Sequence, residues 1–253
     1  GNRSAVSFLL SRGADVNARD KGYFTPLIYA AMKGHEAIVQ ELIKAGGDIE
    51  AKGGWPSTGP LSFAAVDGHT SVMRLLLENG ADIESKSFQS MTPLLSAASH
   101  GQDAGVELLL SKGSYIEAKN EDGCTALSLA LQNRHYSTAK LLVQQRADIE
   151  SRNNDGMTLL TQVVSDGWVV GLELLLSEGA DIEASDQYGV TALFFAVLEL
   201  DEVMAKMLLE KGANIEVRTT PSGETSLCRA VSDGYVPVIE ALLSGGADVN
   251  ARN

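Results

Sequence analysis

Along the chain, small apolar pairs and bulky apolar pairs alternate on a constant beat. Ala30-Ala31 is answered by Leu42-Ile43, Ala64-Ala65 by Leu76-Leu77, and Ala97-Ala98 by Leu109-Leu110. The small pair then loosens to Ala130-Leu131, Val163-Val164, Ala196-Val197 and Ala230-Val231. The bulky pair continues as Leu142-Val143, Leu175-Leu176, Leu208-Leu209 and Leu242-Leu243. Ahead of each small pair stands a fixed marker: Thr25-Pro26-Leu27, Gly59-Pro60-Leu61, Thr92-Pro93-Leu94, Thr125-Ala126-Leu127, Thr158-Leu159-Leu160, Thr191-Ala192-Leu193 and Thr225-Ser226-Leu227. These markers follow one another at steps of 34, 33, 33, 33, 33 and 34 residues. Self-similarity at this period predicts a solenoid in which each unit buries its apolar face against its neighbours.

One unit, Asp20 to Lys52, shows the plan. Asp20-Lys21-Gly22-Tyr23 has turn chemistry, and Thr25 is placed to cap a helix that begins at Pro26, a residue with no N–H to leave unpaired. Leu27, Ala30 and Ala31 share one face at helical spacing. Gly34 ends that helix, and Ile38, Val39, Leu42 and Ile43 form the buried side of a second. Gly46-Gly47-Asp48 turns the chain, and Ile49 to Lys52 is expected to run extended into the next unit. The fold class is therefore all-α, and no period-two alternation supports a sheet. Where other units have Gly, this chain puts Arg134 and Leu200 between helices and Arg146 after one. A side chain forced to positive φ costs roughly 1 kcal/mol.

These residues carry a resemblance. Asp-x-x-Gly-x-Thr-Pro-Leu, Ala-Ala, Gly-His, Val-x-x-Leu-Leu and Gly-Ala-Asp together resemble the ankyrin repeat. The resemblance implies an ankyrin-repeat solenoid: a half repeat at 1–19, seven full helix-turn-helix repeats starting near 20, 53, 87, 120, 153, 186 and 219, and a stub at 251–253. All belong to one domain, expected to be a piece of a longer array. It departs from the family's frequent His after Thr-Pro-Leu, having Ile28, Ser62, Leu95, Ser128, Thr161, Phe194 and Cys228 there.

Charge narrows the function. Acids outnumber bases 33 to 20, for a net charge of −13, whereas duplex binding depends on Lys and Arg neutralising phosphates. Nucleic acid is therefore not expected as a partner. No run of about 18 apolar residues offers a membrane span. Cys124 and Cys228 lie three units apart, roughly 25–30 Å at helix-packing distances of about 8–10 Å, too far for a disulfide. Free thiols fit a reducing, cytoplasmic or nuclear setting.

Catalysis and metal binding are not expected, and no cofactor is implied. His35, His69 and His135 recur at one repeat position, which marks a cap or packing role, and no metal-ligand spacing or phosphate loop is present. Two charge columns stand out. Glu50, Glu84, Glu117, Glu150, Glu183 and Glu216 share one repeat position, and Lys52, Lys86, Lys119, Arg152 and Arg218 follow two residues on. In an extended chain such residues face the same way. They then form either a self-neutralising ladder or a charged rim for an acidic partner segment.

By the resemblance, partners bind the concave face built from turn tips and the solvent side of each first helix. Large apolar groups fall at those positions: Phe24, Met32, Trp55, Phe88 and Met91, with Met157 and Tyr188 further along. Exposed aromatic groups are typical binding anchors, although rings packed on neighbouring fingers would give the same pattern. The function expected is a non-enzymatic scaffold, monomeric as a fragment, that binds a protein or peptide. The alternatives are a regulatory or substrate-presenting segment of a larger enzyme or NACHT-type receptor, and a small-molecule or catalytic pocket in the groove.

Overall fold

A computed structural model describes residues 1–54, 57–220 and 222–252. A first helix, α1 (Arg3–Ser11), precedes seven helical hairpins. Four of these are α2 (Pro26–Met32) with α3 (Glu36–Lys44), α4 (Pro60–Val66) with α5 (Thr70–Glu78), α6 (Pro93–Ser99) with α7 (Asp103–Ser111), and α8 (Ala126–Gln132) with α9 (Tyr136–Gln144). The other three are α10 (Leu159–Ser165) with α11 (Val169–Ser177), α12 (Ala192–Leu198) with α13 (Glu202–Glu210), and α14 (Ser226–Asp233) with α15 (Val236–Ser244). Among the described residues the only β pairing is isolated bridges such as Arg152 with Thr158 and Ser185 with Thr191. The helices form two compact units, Gly1–Ala147 and Asp148–Asn253.

Local chemistry sets the hairpins. The Ile28 N–H donates to Thr25 Oγ1 at 3.3 Å, and Thr92, Thr125, Thr158, Thr191 and Thr225 cap their helices in the same way. Gly59 leaves α4 without a side-chain cap, but Pro60 still begins it. Each first helix then stops at a left-handed residue. That residue is Gly in five hairpins, while Arg134 (φ 58°) and Leu200 (φ 55°) adopt the same strained conformation. Arg146 likewise holds φ 66° after α9.

Within the first unit, α2, α4, α6 and α8 pack in one row, and α1, α3, α5, α7 and α9 in a second. In the second unit α10, α12 and α14 stack likewise, and α13 packs on α15. Ala31, Ala65 and Ala98 are fully buried, as are Leu42, Leu76 and Leu109. Small side chains between first helices allow close approach, and each buried Leu contributes about 1.5–3 kcal/mol. His69 Nε2 donates to the Met32 carbonyl at 3.1 Å and His135 Nε2 to that of Ser99 at 3.1 Å, so each closes the C-terminus of the preceding first helix. Gln102 does the same to Val66 at 3.0 Å.

The segment after each second helix is not extended as expected. Asp48 folds it back: the Ala51 N–H donates to the Asp48 carbonyl at 3.3 Å and the Glu50 N–H to Asp48 Oδ1 at 3.0 Å. The turn sends each Glu across the repeat boundary. Glu50 accepts the Asp82 N–H at 2.9 Å, and Glu84 accepts the Tyr115 N–H and the Ser114 hydroxyl, each at 2.8 Å. Glu150, Glu183 and Glu216 accept from Asp181, Asn214 and Asp248 at 2.8, 2.7 and 2.8 Å. Asn17 fills the same role for Asp48 at 2.7 Å. Glu50, Glu84 and Glu216 make no ion pair with the base two residues on. Ion pairs among the described residues include Arg3–Glu41, Glu202–Lys206 and Arg229–Asp233.

Candidate functional site

Four of the fingers between repeats are wound around an Asp or Asn. Asp20 Oδ1 accepts the N–H groups of Gly22 at 2.8 Å and Phe24 at 2.9 Å. Asn120, Asn153 and Asp186 hold their fingers with the same two bonds. Such side-chain-to-backbone turns let the tip residue sit left-handed. Gly123, Gly156, Gly189 and Gly223 do so freely, but Tyr23 (φ 64°), Ser57 (φ 51°) and Ser90 (φ 56°) do so with a side chain attached. Backbone bonds also tie finger to finger: Gly54 N–H to the Gly22 carbonyl at 2.7 Å, Glu121 to Gln89 at 2.9 Å, and Thr220 to Tyr188 at 2.7 Å. Within each unit these bonds hold pairs of neighbouring tips side by side.

In the first unit an aromatic cluster occupies these fingers and the first helices beside them. The Phe24 ring lies 5.2 Å from Tyr29 and 5.8 Å from Phe63, both tilted. A Cβ on Gly54 would meet the Phe24 ring at 2.6 Å, so that glycine lets the next finger close over it. Phe24 is therefore half-buried packing between fingers. The Tyr29 hydroxyl donates to Asp20 Oδ2 at 2.7 Å. That bond holds the Asp20 carboxyl below its ordinary range, with backbone donors Phe24 and Gly22 adding to the effect, and raises the Tyr29 phenol.

The expected anchors are distributed unevenly. Phe88 lies on a 3₁₀ turn, Phe88–Ser90, and is 49% exposed. Met32 and Met91 are half-buried, and the Met91 carbonyl accepts from the Ser87 backbone and hydroxyl. Trp55 lies outside the described residues. In the second unit Met157 is half-buried and Tyr188 is 55% exposed. Among the described residues, the most exposed ring of this surface is one that the sequence pattern did not single out: Tyr23, 65% exposed on a finger tip. Tyr29 and Phe63 were also missed, although the first-helix column Tyr29, Phe63, Ser96 distinguishes them.

The basic column is exposed, but several of its members serve the backbone. Lys52 Nζ donates to the Lys86 carbonyl at 2.7 Å. Arg152 reaches the carbonyls of Gly156 at 2.8 Å and Ser185 at 2.7 Å, and Arg218 those of Gly223 and Arg252 at 2.7 Å each. Lys86 and Lys119 complete the exposed line in the first unit. Cys124 and Cys228 are free thiols. Among the described residues no three potential metal ligands of the His, Cys, Asp or Glu type gather, and no helix is long and apolar enough to cross a membrane.

Comparison with known proteins covers the whole chain. A family model described as ankyrin repeats (three copies) matches residues 1–87, 61–153, 145–219 and 171–253. No curated protein sequence matches significantly. Among solved structures, the crystal structure of the ankyrin repeat domain of Bcl-3, described as a unique member of the IkappaB protein family, is similar. It is 27% identical with a TM-score of 0.78, over 87% of this chain and 98% of that one.

Proposed function

Since the chain belongs to the ankyrin-repeat family, whose repeats are protein–protein interaction modules, we propose that it is a non-enzymatic scaffold that binds a protein or peptide along its finger and first-helix side, the concave side in this family. One observation carries the reading. Tyr23 holds a bulky ring 65% exposed at φ 64°, where the next two fingers have serine and the last four glycine. An exposed ring in a strained conformation contributes little to folding and is suited to contact. Phe88 and Tyr29 extend the same aromatic surface, and exposed Lys21, Lys33 and Lys86 flank it. The partner segment is therefore expected to combine apolar side chains with carboxylates.

Selection of random peptides on the intact chain, run in parallel on the Tyr23→Ser/Phe88→Ser variant, tests this. Peptides that bind the native chain and lose affinity for the variant support the proposal. Peptides that bind both equally, or no enrichment on either, overturn it.

A further inference from the structure

The two units differ sharply in charge. Residues 1–147 carry 14 bases and 15 acids, while 148–253 carry 6 bases and 18 acids, so the second unit has a net charge of −12. Its fingers are only one of its surfaces. On the side where each first helix turns into its second, this unit replaces the residue types used elsewhere. The second position of the second helix is Ala37, Ser71, Ala104 and Ser137 in the first unit, but Val170 and Val203 in the second, both exposed, Val203 by 60%. Val236, first in α15, is exposed as well. Between α12 and α13, Leu200 is 39% exposed and holds φ 55°.

β-branched side chains are poor helix formers, and a left-handed Leu is strained. None of these four groups recovers that cost by burial. They also lie near one another. A Cβ on Gly167, in the turn before α11, would stand 3.8 Å from Asp201 Oδ2, in the turn before α13, and α13 packs on α15. Carboxylates frame the apolar line: Glu173, Glu199 and Glu240 are exposed. Lys206 is paired with Glu202 at 2.5 Å, and the carboxylates of Glu240 and Glu210 also act on it.

We propose that this turn-side line of the second unit, Val170, Leu200, Val203 and Val236 within its carboxylate frame, is a second docking surface for a basic amphipathic helix of a protein partner. Charge complementarity sets the sign of the partner, and spacing sets its form. Stacked repeats place equivalent side chains about 8–10 Å apart, and a helix places residues i and i+7 on one face about 10.5 Å apart. An extended segment of similar reach puts alternate side chains on opposite faces. The surface lies on other residues than the aromatic fingers, so either can fail without the other.

The test titrates the intact chain with three synthetic peptides of about 20 residues: one with a Leu stripe on a Lys background, one with the same stripe on Glu, and one with Lys kept and Leu replaced by Ser. Binding is read by calorimetry, and the site by backbone amide shifts. The Leu–Lys peptide is expected to shift residues 166–170, 199–203 and 233–237. The other two peptides should bind at least tenfold more weakly. Val170→Ser/Val203→Ser should weaken the Leu–Lys peptide at least tenfold, about 1.4 kcal/mol, at an unchanged thermal midpoint. Leu200→Gly, which also removes backbone strain, should weaken it in a chain at least as stable as the native one. Equal binding of the Lys–Ser peptide, shifts confined to the fingers, or a chain dimer that Val203→Ser dissolves would each overturn the proposal.

Discussion

Glu183 separates two accounts of the repeated glutamates, because the residue two positions on is Ser185 instead of a base. If the column were an ion-pair ladder, Glu183 would be its silent member. In the structure it accepts the Asn214 N–H at 2.7 Å, as short as the bonds that Glu50, Glu84, Glu150 and Glu216 make at 2.8–2.9 Å across repeat boundaries. A hydrogen bond to a charged group contributes about 1.5–3 kcal/mol. Asn214 is exposed and Glu183 half-buried, so water recovers part of that on truncation. Glu183→Ala should therefore cost about 1 kcal/mol, a lowering of the thermal midpoint by roughly 2–4 °C. Glu183→Gln should cost less than about 0.5 kcal/mol, since an amide oxygen can do the same work: Asn17 accepts the Asp48 N–H at 2.7 Å. Urea unfolding at constant slope, with the exposed Glu178→Ala as control, measures both. A silent Glu183→Ala, alongside a Lys86→Met as costly as Glu84→Ala, would refute the bridging account.

Ser62 is buried and its hydroxyl has no hydrogen-bond partner among the described residues. Ser62→Ala should leave stability unchanged or raise it by up to about 1 kcal/mol, while Ser128→Ala, which loses a bond to the Thr125 carbonyl, should lower it; chemical denaturation compares them. The Asp20–Tyr29 bond should act in a bounded pH window. The Asp20 pKa is lowered, so the bond's contribution is present above the ordinary carboxyl range and lost as pH falls through the lowered value. The Tyr29 pKa is raised, so its contribution is present below the ordinary phenol range and lost as pH climbs through the raised one. An NMR titration should place Asp20 below 3.8 and move it upward in Tyr29→Phe.

Much of the fold is legible in the sequence because its determinants are local. Thr25 and its counterparts cap helices within three residues, Pro26 starts one, and Ala31 and Leu42 repeat on a single beat. The glutamate bridges are not legible that way. They depend on Asp48 bonding the Glu50 N–H, a small turn that redirects the side chain across a repeat boundary. The repeated Asp-Ile-Glu at 48–50, 82–84, 148–150 and 181–183 was the available signal. At the candidate site, the column that gives Gly123, Gly156, Gly189 and Gly223 has Tyr23, Ser57 and Ser90 as its exceptions, and of these Tyr23 alone carries a ring. Whether a finger ring packs or projects is not local. Phe24 packs because Phe63, Tyr29 and Gly54 converge on it from separate segments, whereas Phe88 keeps about half of its surface exposed.

The central claim is that the aromatic fingers of the first unit bind a partner, and Phe88→Ala tests it most directly when affinity and stability are read on the same sample. With a peptide selected on the native chain, its dissociation constant should rise by about 30-fold or more, roughly 2 kcal/mol, while the thermal midpoint stays at the native value. A lowered midpoint with unchanged affinity would make Phe88 a packing residue and contradict the claim.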